Sequence, residues 1–128
     1  MDDFASTMPL AKMMGVTATE AAKDRVVGRL EVTADLCTIN SAVHGGSLMT
    51  LADSIAAIGA FLNLPDGAAG TTTIESKTNF VGRAGIGDVL TAVATPVSIG
   101  RRMSVWQTRI TTQAEALVAV VTQTQLVL

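Results

Sequence analysis

The only histidine of the chain is followed by two glycines, and the run His44-Gly45-Gly46 opens a long apolar stretch over residues 43–64. Because glycine has no side chain to block a ligand, the amides of a helix that begins here would be accessible. Such amides carry partial positive charge and favour a negative group beside them. The run therefore indicates an oxyanion site for a polarised carbonyl, with a flexible, closely packed helix start as the alternative.

Asp53 is the single carboxylate within this stretch. Its apolar neighbours, including Leu51, Ala52 and Ile55, argue against free exposure to water. A buried carboxylate is costly unless it is paired or used in chemistry. Asp53 is therefore the first candidate for a catalytic group, and an aspartate that only bonds nearby hydroxyls is the alternative.

The spacing of these two features predicts an assembly. Gly45 and Asp53 are eight residues apart, which is about 12 Å along a helix axis. One small reacting group cannot touch both residues of a single chain. If two such helices pack antiparallel across a two-fold axis, Gly45 of one subunit lies near Asp53 of the other. We therefore expect a homodimer with two sites at its interface.

Three arginines are candidates for binding phosphate: Arg83 in a glycine-rich loop, and Arg101 and Arg102 beside Gly100. The alternative is that they only face solvent, as arginines in turns often do. Threonines 71–73 mainly favour a strand, although one of them could position a water or the acid.

No metal site and no resident cofactor are predicted around His44. No second His and no Cys lies at a zinc-ligand spacing from it. The sequence also contains no nucleophile elbow, Walker motif or dinucleotide-binding motif. His44 is expected to order its loop and to support the Gly45 amide rather than to act as a base.

Composition limits the class of protein further. With 128 residues, 48% of them hydrophobic, the chain is expected to form one domain over residues 1–128. A net charge of −2 and the lack of a basic run argue against nucleic-acid binding. The single cysteine, Cys37, excludes an internal disulfide. Since the N-terminus also lacks the order of a signal peptide, we expect a cytoplasmic protein.

A long helix is predicted over residues 45–62, where apolar residues recur at spacings of three and four. It is apolar nearly all round and should be covered on most sides. A membrane span is disfavoured because Asp53 and several hydroxyl residues interrupt the stretch. Small residues on this helix would leave room beside it for a ring or a medium acyl chain, and these are Ala56, Ala57, Gly59 and Ala60. The larger side chain of Met49 or Phe61 could close that space.

Strands should surround this helix. They are predicted over residues 16–22, 25–33, 70–80, 89–98, 103–112 and 117–128, with a short N-terminal helix over 3–14 and a loop over 82–88. The last three strands follow one another with short turns, as in an antiparallel meander. The predicted class is α+β, with a curled antiparallel sheet wrapped around one long central helix.

Two segments carry a family resemblance. HGGSLMTLAD at residues 44–53 and NFVGRAGIGDVLTAVATPVSIGRR at residues 79–102 resemble hotdog-fold acyl-CoA thioesterases of the phenylacetate-degradation (PaaI) type, which are close to the 4-hydroxybenzoyl-CoA thioesterases. The resemblance covers roughly residues 26–127. It implies a hotdog fold, dimers that usually pair into tetramers, and hydrolysis of an acyl-CoA thioester.

The resemblance also implies roles for individual residues. The Gly45 amide polarises the thioester carbonyl, and the adjacent Gly46 contacts the substrate. Asp53 of the partner subunit acts either as the nucleophile or as the general base for water. His44 orders the turn, and Thr73 matches the position where relatives have a Ser or Thr near the attacking water.

The loop before His44 departs from the family pattern. Relatives often have Asn or Gln six residues before the histidine, where this chain has Thr38, and a glycine where it has Ser41. An amide side chain stands instead at Asn40. Either Asn40 fills the usual catalytic role or that role is absent.

The sequence therefore predicts an acyl-CoA thioester hydrolase that acts on a small or medium acyl- or aryl-CoA. Coenzyme A is then part of the substrate, and no other cofactor, nucleic-acid or membrane partner is expected. The alternative is a non-catalytic acyl-CoA-binding or regulatory hotdog protein. A hotdog dehydratase is disfavoured because its differently spaced helix-entry motif is lacking.

Overall fold

A computed structural model of the chain describes residues 3–128. It contains helices α1 (Pro9–Met14) and α2 (Gly45–Leu62) and strands β1 (Thr17–Ala22), β2 (Arg25–Glu31), β3 (Thr71–Phe80), β4 (Val89–Ile99), β5 (Met103–Thr111) and β6 (Leu117–Val127). Short 3-10 turns lie at Phe4–Thr7, Ala34–Leu36 and Ile39–Ser41.

The six strands form one antiparallel sheet in the order β1-β2-β4-β5-β6-β3. The meander β4-β5-β6 is as predicted. The first strand after α2, β3, pairs with the last strand, β6, and forms one edge of the sheet. Since the sheet curls around one long central helix, the predicted α+β hotdog fold is confirmed.

Helix α2 is the core of the fold. One face is buried against the sheet, and its buried residues are Leu48, Leu51, Ala52, Ser54, Ile55, Ala56, Ile58, Gly59 and Ala60. The helix ends at Asn63, whose Nδ2 donates to the carbonyls of Gly59 and Lys23, both at 2.8 Å. The helix is long and apolar enough to cross a membrane, but half of its 18 residues are buried inside the fold. The prediction of a core helix over residues 45–62 is confirmed.

Two glycines let the helix and the sheet approach each other closely. A Cβ at Gly59 would lie 2.5 Å from the ring of Trp106, and one at Gly28 would collide with the end of the Ile55 side chain. Trp106 is fully buried, and its Nε1 donates to Ser104 Oγ at 2.9 Å. Gly59 is therefore occupied by core packing, and neither it nor the buried Ala56 and Ala60 leaves the room for an acyl group expected from the sequence.

The N-terminal segment differs from its prediction. A single helix over residues 3–14 was expected, but the chain makes a 3-10 turn, Phe4–Thr7, and then starts α1 at Pro9. Met8 between them is extended, with φ −99° and ψ 110°. The proline ring disfavours helical backbone in the residue before it, so Pro9 breaks the segment in two.

Candidate active site

The carboxylate of Asp53 is held by hydrogen bonds from two strands. Its Oδ1 accepts the hydroxyl of Thr73, on β3, at 2.6 Å and Nε2 of Gln123, on β6, at 3.0 Å. The side chain stands on the half-buried face of α2. The structure thus brings together the predicted pair Asp53 and Thr73 and adds a glutamine.

A second glutamine continues this network. Gln125 Nε2 donates to Thr73 Oγ1 at 2.6 Å, and Gln125 Oε1 accepts the hydroxyl of Thr71 at 3.1 Å. Gln123 and Gln125 have exposures of 0% and 1%. Sequence reasoning missed both glutamines. The alternation of the strand could have revealed them, because Gln123 and Gln125 follow the apolar Val121 at intervals of two residues and so lie on the same face.

The helix start divides its amides between two roles. His44 caps α2 and its Nδ1 accepts the amide of Gly46 at 2.8 Å, so this nitrogen carries no proton. The first amides of a helix have no partner within it, and that of Gly45 has no acceptor anywhere in residues 3–128. His44 thus orders the turn through Gly46, and the Gly45 amide remains available to a ligand.

A groove of about 220 Å³ opens beside Gly45. Its lining also includes Leu48, Phe80 and Arg83. A Cβ at Gly45 would lie 3.1 Å from the ring of Phe80, which is tighter than ordinary contact. Glycine therefore keeps the approach to this amide open.

The loop before the helix is tied to the same groove. Arg83 donates to the backbone carbonyl of Asn40 at 3.0 Å. Asn40 and Ser41 both have left-handed backbone, with φ of 63° and 57°, and both are exposed. Thr38 is exposed as well, and its amide donates to the carbonyl of Ala42 at 2.7 Å. Within residues 3–128, the side chains of Asn40 and Thr38 have no hydrogen-bond partner, and it is the Asn40 backbone that Arg83 binds.

Asp88 organises the glycine-rich loop that carries Arg83. Its Oδ2 accepts the Gly85 amide and its Oδ1 accepts Nε2 of Gln113, both at 2.8 Å. These hydrogen bonds lower the pKa of Asp88 below its usual 3.8, and the bond from the Gly85 amide has the larger effect. The Gly-Asp pair at residues 87–88 therefore serves loop geometry.

The remaining predicted residues lie in the β4–β5 turn. Gly100, Arg101 and Arg102 are exposed there. Across the described chain, neither arginine side chain makes a hydrogen bond or an ion pair to another residue. The structure places this turn beside the end of β6, where the Val127 amide donates to the Arg102 carbonyl at 2.8 Å. It does not join the turn to the groove at Gly45 within one chain.

An apolar cavity of about 310 Å³ lies further along α2. Ala57, one helical turn beyond Asp53, lines it together with Phe4, Thr7, Met8, Ile58 and Phe61. Of the small helix residues expected to leave room for an acyl group, only Ala57 faces this cavity.

This fold, with an acid in the middle of its central helix and a free amide at the helix start, is that of a hotdog thioesterase. A family model described as the thioesterase superfamily matches residues 40–119, and the chain belongs to that superfamily. The predicted enzyme class, a thioester hydrolase, is confirmed.

Individual proteins show the same likeness. The chain is 30% identical to the 1,4-dihydroxy-2-naphthoyl-CoA hydrolase of Listeria monocytogenes over 114 residues, covering 88% of this chain and 90% of the relative. A variant of the phenylacetic acid degradation protein PaaI from Thermus thermophilus superposes with a TM-score of 0.86 at 26% identity, covering 94% and 99% of the two chains. A hypothetical thioesterase from Streptococcus pneumoniae, solved with coenzyme A, gives 0.81 at 27% identity over 89% and 86%. The predicted PaaI-type resemblance is confirmed.

Proposed function

We propose that this protein hydrolyses the thioester of a small or medium acyl- or aryl-CoA. The observation that carries the proposal is the state of the two groups on α2. The Gly45 amide has no acceptor in residues 3–128, and Asp53 is fixed through Oδ1 alone. The amide suits a developing oxyanion, and the carboxylate suits attack on the carbonyl carbon or proton transfer. The names of the Listeria hydrolase and the Streptococcus thioesterase structure support a CoA ester as substrate.

The two groups meet in a homodimer. Strand β3 has ten residues and pairs on one side only, with β6, so its other edge is free to pair with a second chain. Ile74 and Phe80 on this strand and Val81 after it are more than half exposed. A two-fold axis near Met49, four residues from both Gly45 and Asp53, sets the helices antiparallel and brings Gly45 of one subunit to Asp53 of the other. Two such dimers then pair into a tetramer, as the family resemblance implies.

Catalysis follows from this placement. The Gly45 amide of one subunit donates to the thioester carbonyl and stabilises the charge that develops on its oxygen. Asp53 of the partner subunit either attacks the carbonyl carbon, forming an anhydride that water then opens, or removes a proton from an attacking water. Both routes release a carboxylic acid and the CoA thiol. His44 supports the oxyanion site by holding the adjacent Gly46 amide, and Thr73 holds the acid.

The substrate extends in two directions from the carbonyl. The acyl group enters the apolar cavity beside Ala57, which is large enough for an aryl ring or a medium chain. Arg83, in the groove with Gly45, and the turn Gly100–Arg102 bind the phosphates of CoA. The backbone carbonyl of Asn40 accepts a hydrogen bond from Arg83 and so helps to hold this side chain at the groove.

The test is a panel of acyl- and aryl-CoA esters with capture of the released thiol, run on the wild type, Asp53→Asn and Asp53→Ala. We expect both variants to stay folded and to lose about 100-fold or more in kcat. Asp66→Asn, which removes an exposed carboxylate, serves as the matched control and should retain activity. An unchanged kcat in folded Asp53→Ala would exclude the assigned role. Binding of CoA esters by the wild type without any turnover would instead favour a non-catalytic acyl-CoA-binding protein.

A further inference from the structure

We propose that Gln123 and Gln125 are positioning residues that aim the Asp53 carboxylate at its substrate, Gln123 directly and Gln125 through Thr73. The inference rests on the function proposed above and concerns how the acid is prepared for its role. It goes beyond the family resemblance, which points to no residue of β6.

The direction of each hydrogen bond follows from the chemistry of the groups. An ionised carboxylate only accepts, so the Thr73 hydroxyl must donate its one proton to Asp53 over the 2.6 Å contact. Thr73 Oγ1 then accepts Nε2 of Gln125, because the Thr73 proton is no longer available to the amide oxygen. The Thr71 hydroxyl shares its one proton between Gln125 Oε1 at 3.1 Å and the Leu126 carbonyl at 3.0 Å. The contact with Thr73 thus sets the amide orientation of Gln125, which prevents the Thr73 hydroxyl from turning away from the acid.

Gln123 completes the restraint on the carboxylate. Its Nε2 is the second donor to the same oxygen, Oδ1, at 3.0 Å. Two donors on one oxygen fix the rotation of the carboxylate plane. The other oxygen, Oδ2, receives no hydrogen bond from residues 3–128 and is left to act on the substrate. Because the Thr73 proton is already committed to Asp53, Thr73 acts by orienting the acid.

The burial of these side chains argues against a role in stability alone. Both glutamines are almost completely enclosed, and Gln123 Oε1 has no hydrogen-bond partner in the described chain. A buried polar atom without a partner is unfavourable, and an apolar side chain of similar volume would serve the core better. The contact of this amide with Asp53, which an apolar side chain could not make, therefore accounts for a glutamine at this position.

The experiment compares steady-state kinetics of Gln123→Met, Gln125→Met and Gln107→Met with the wild type. Methionine matches glutamine in length and is at ease in a core, so thermal melting should show folded proteins. We expect kcat to fall about 10-fold or more in the first two variants with little change in KM, since orientation of the acid acts on the transition state. Gln107 is exposed on β5, and its variant is the control that should match the wild type.

A double-mutant cycle tests the path through Thr73. Thr73→Val removes the hydroxyl at nearly constant shape and should lower kcat, whereas Thr73→Ser, which keeps the hydroxyl, should preserve most of it. In the Thr73→Val background, Gln125→Met should cause no further loss, while Gln123→Met should still lower kcat. Fully additive losses of kcat in the Thr73→Val and Gln125→Met variants would overturn the inference. So would variants in which only KM or the melting temperature changes and kcat does not.

The Asp53→Ala variant separates this inference from the function on which it rests. If Asp53→Ala is inactive but both glutamine variants keep the wild-type kcat, the positioning role is wrong and the proposed hydrolase stands. If the wild type hydrolyses no CoA ester, or Asp53→Ala is fully active, the proposed function or its acid fails first and the positioning role fails with it.

Discussion

Ser41 holds a backbone conformation that favours glycine. Its φ is 57°, and it is exposed in the loop before α2. Left-handed backbone costs a residue with a Cβ about 1 kcal/mol or more, and asparagine, as at Asn40 beside it, tolerates it better. A glycine, which the family resemblance implies at this position, would remove that cost.

We therefore expect Ser41→Gly to raise the free energy of unfolding by about 0.5–1 kcal/mol. Thermal unfolding at one fixed protein concentration measures it, since assembly makes the midpoint depend on concentration. Ala42→Gly is the matched control. Its φ of −87° is ordinary, so glycine there should lower stability by a similar amount through the greater freedom of the unfolded chain. An equal change at both positions would contradict this explanation.

At the scale of elements, the loop over residues 82–88 depends on one carboxylate. Asp88 accepts the Gly85 amide and Nε2 of Gln113, and its pKa is thereby lowered. A group whose pKa is lower in the folded protein contributes stability above its unfolded pKa, and that contribution is lost as pH falls through the folded pKa. The loop that carries Arg83 should therefore loosen in acid.

Asp88→Asn tests this dependence. We expect the variant to melt below the wild type near neutral pH, and the gap to narrow as pH falls from about 5 to below 3.8. Melting temperatures across this range measure the gap. The Asp66→Asn variant corrects for the change in net charge. A gap that stays constant with pH would show that the carboxylate does not act through its ionised form.

Elements with a local signal were predictable, and those that depend on distant pairing were not. Helix α2 was predicted with its observed bounds because the spacing of its apolar residues is a local signal. The meander β4-β5-β6 has short turns and was also found. The pairing of β3 with β6 joins segments about 50 residues apart, and no local pattern specifies it.

The same division explains the candidate site. Gly45 and Asp53 could be predicted because each is unusual in its own stretch, a glycine pair after histidine and an acid among apolar residues. Gln123 and Gln125 lie in the consecutive polar run at residues 122–125, which places polar side chains on both faces of the strand and so does not show which face is buried. Their contact with Asp53 exists only because β6 lies beside β3, below the helix. On the sheet, the family resemblance led to Thr73 of β3, whereas the support from β6 could not be predicted.

At the scale of the whole molecule, the proposed function requires a second chain, because Gly45 and Asp53 are separated by about 12 Å along the axis of α2. The free edge of β3 and the exposed residues on it are the surface at which we propose that this chain binds. The proposal links assembly to activity, and it predicts that a subunit alone is inactive. Dilution below the dimer dissociation constant should reduce specific activity.

Mixed dimers test this link directly. One chain carries Asp53→Ala and the other Gly45→Pro, which removes the amide hydrogen. Proline is tolerated at the first position of a helix, and His44 before it already has the extended backbone, φ −68° and ψ 136°, that proline requires.

Each variant alone should be inactive. When the two are co-expressed with different tags and the mixed dimer is isolated, one of its two sites combines an intact Gly45 with an intact Asp53. The mixed dimer should therefore recover up to about half of the wild-type kcat. If each chain instead forms its own site, both subunits carry a defect and the mixed dimer stays as inactive as its parents.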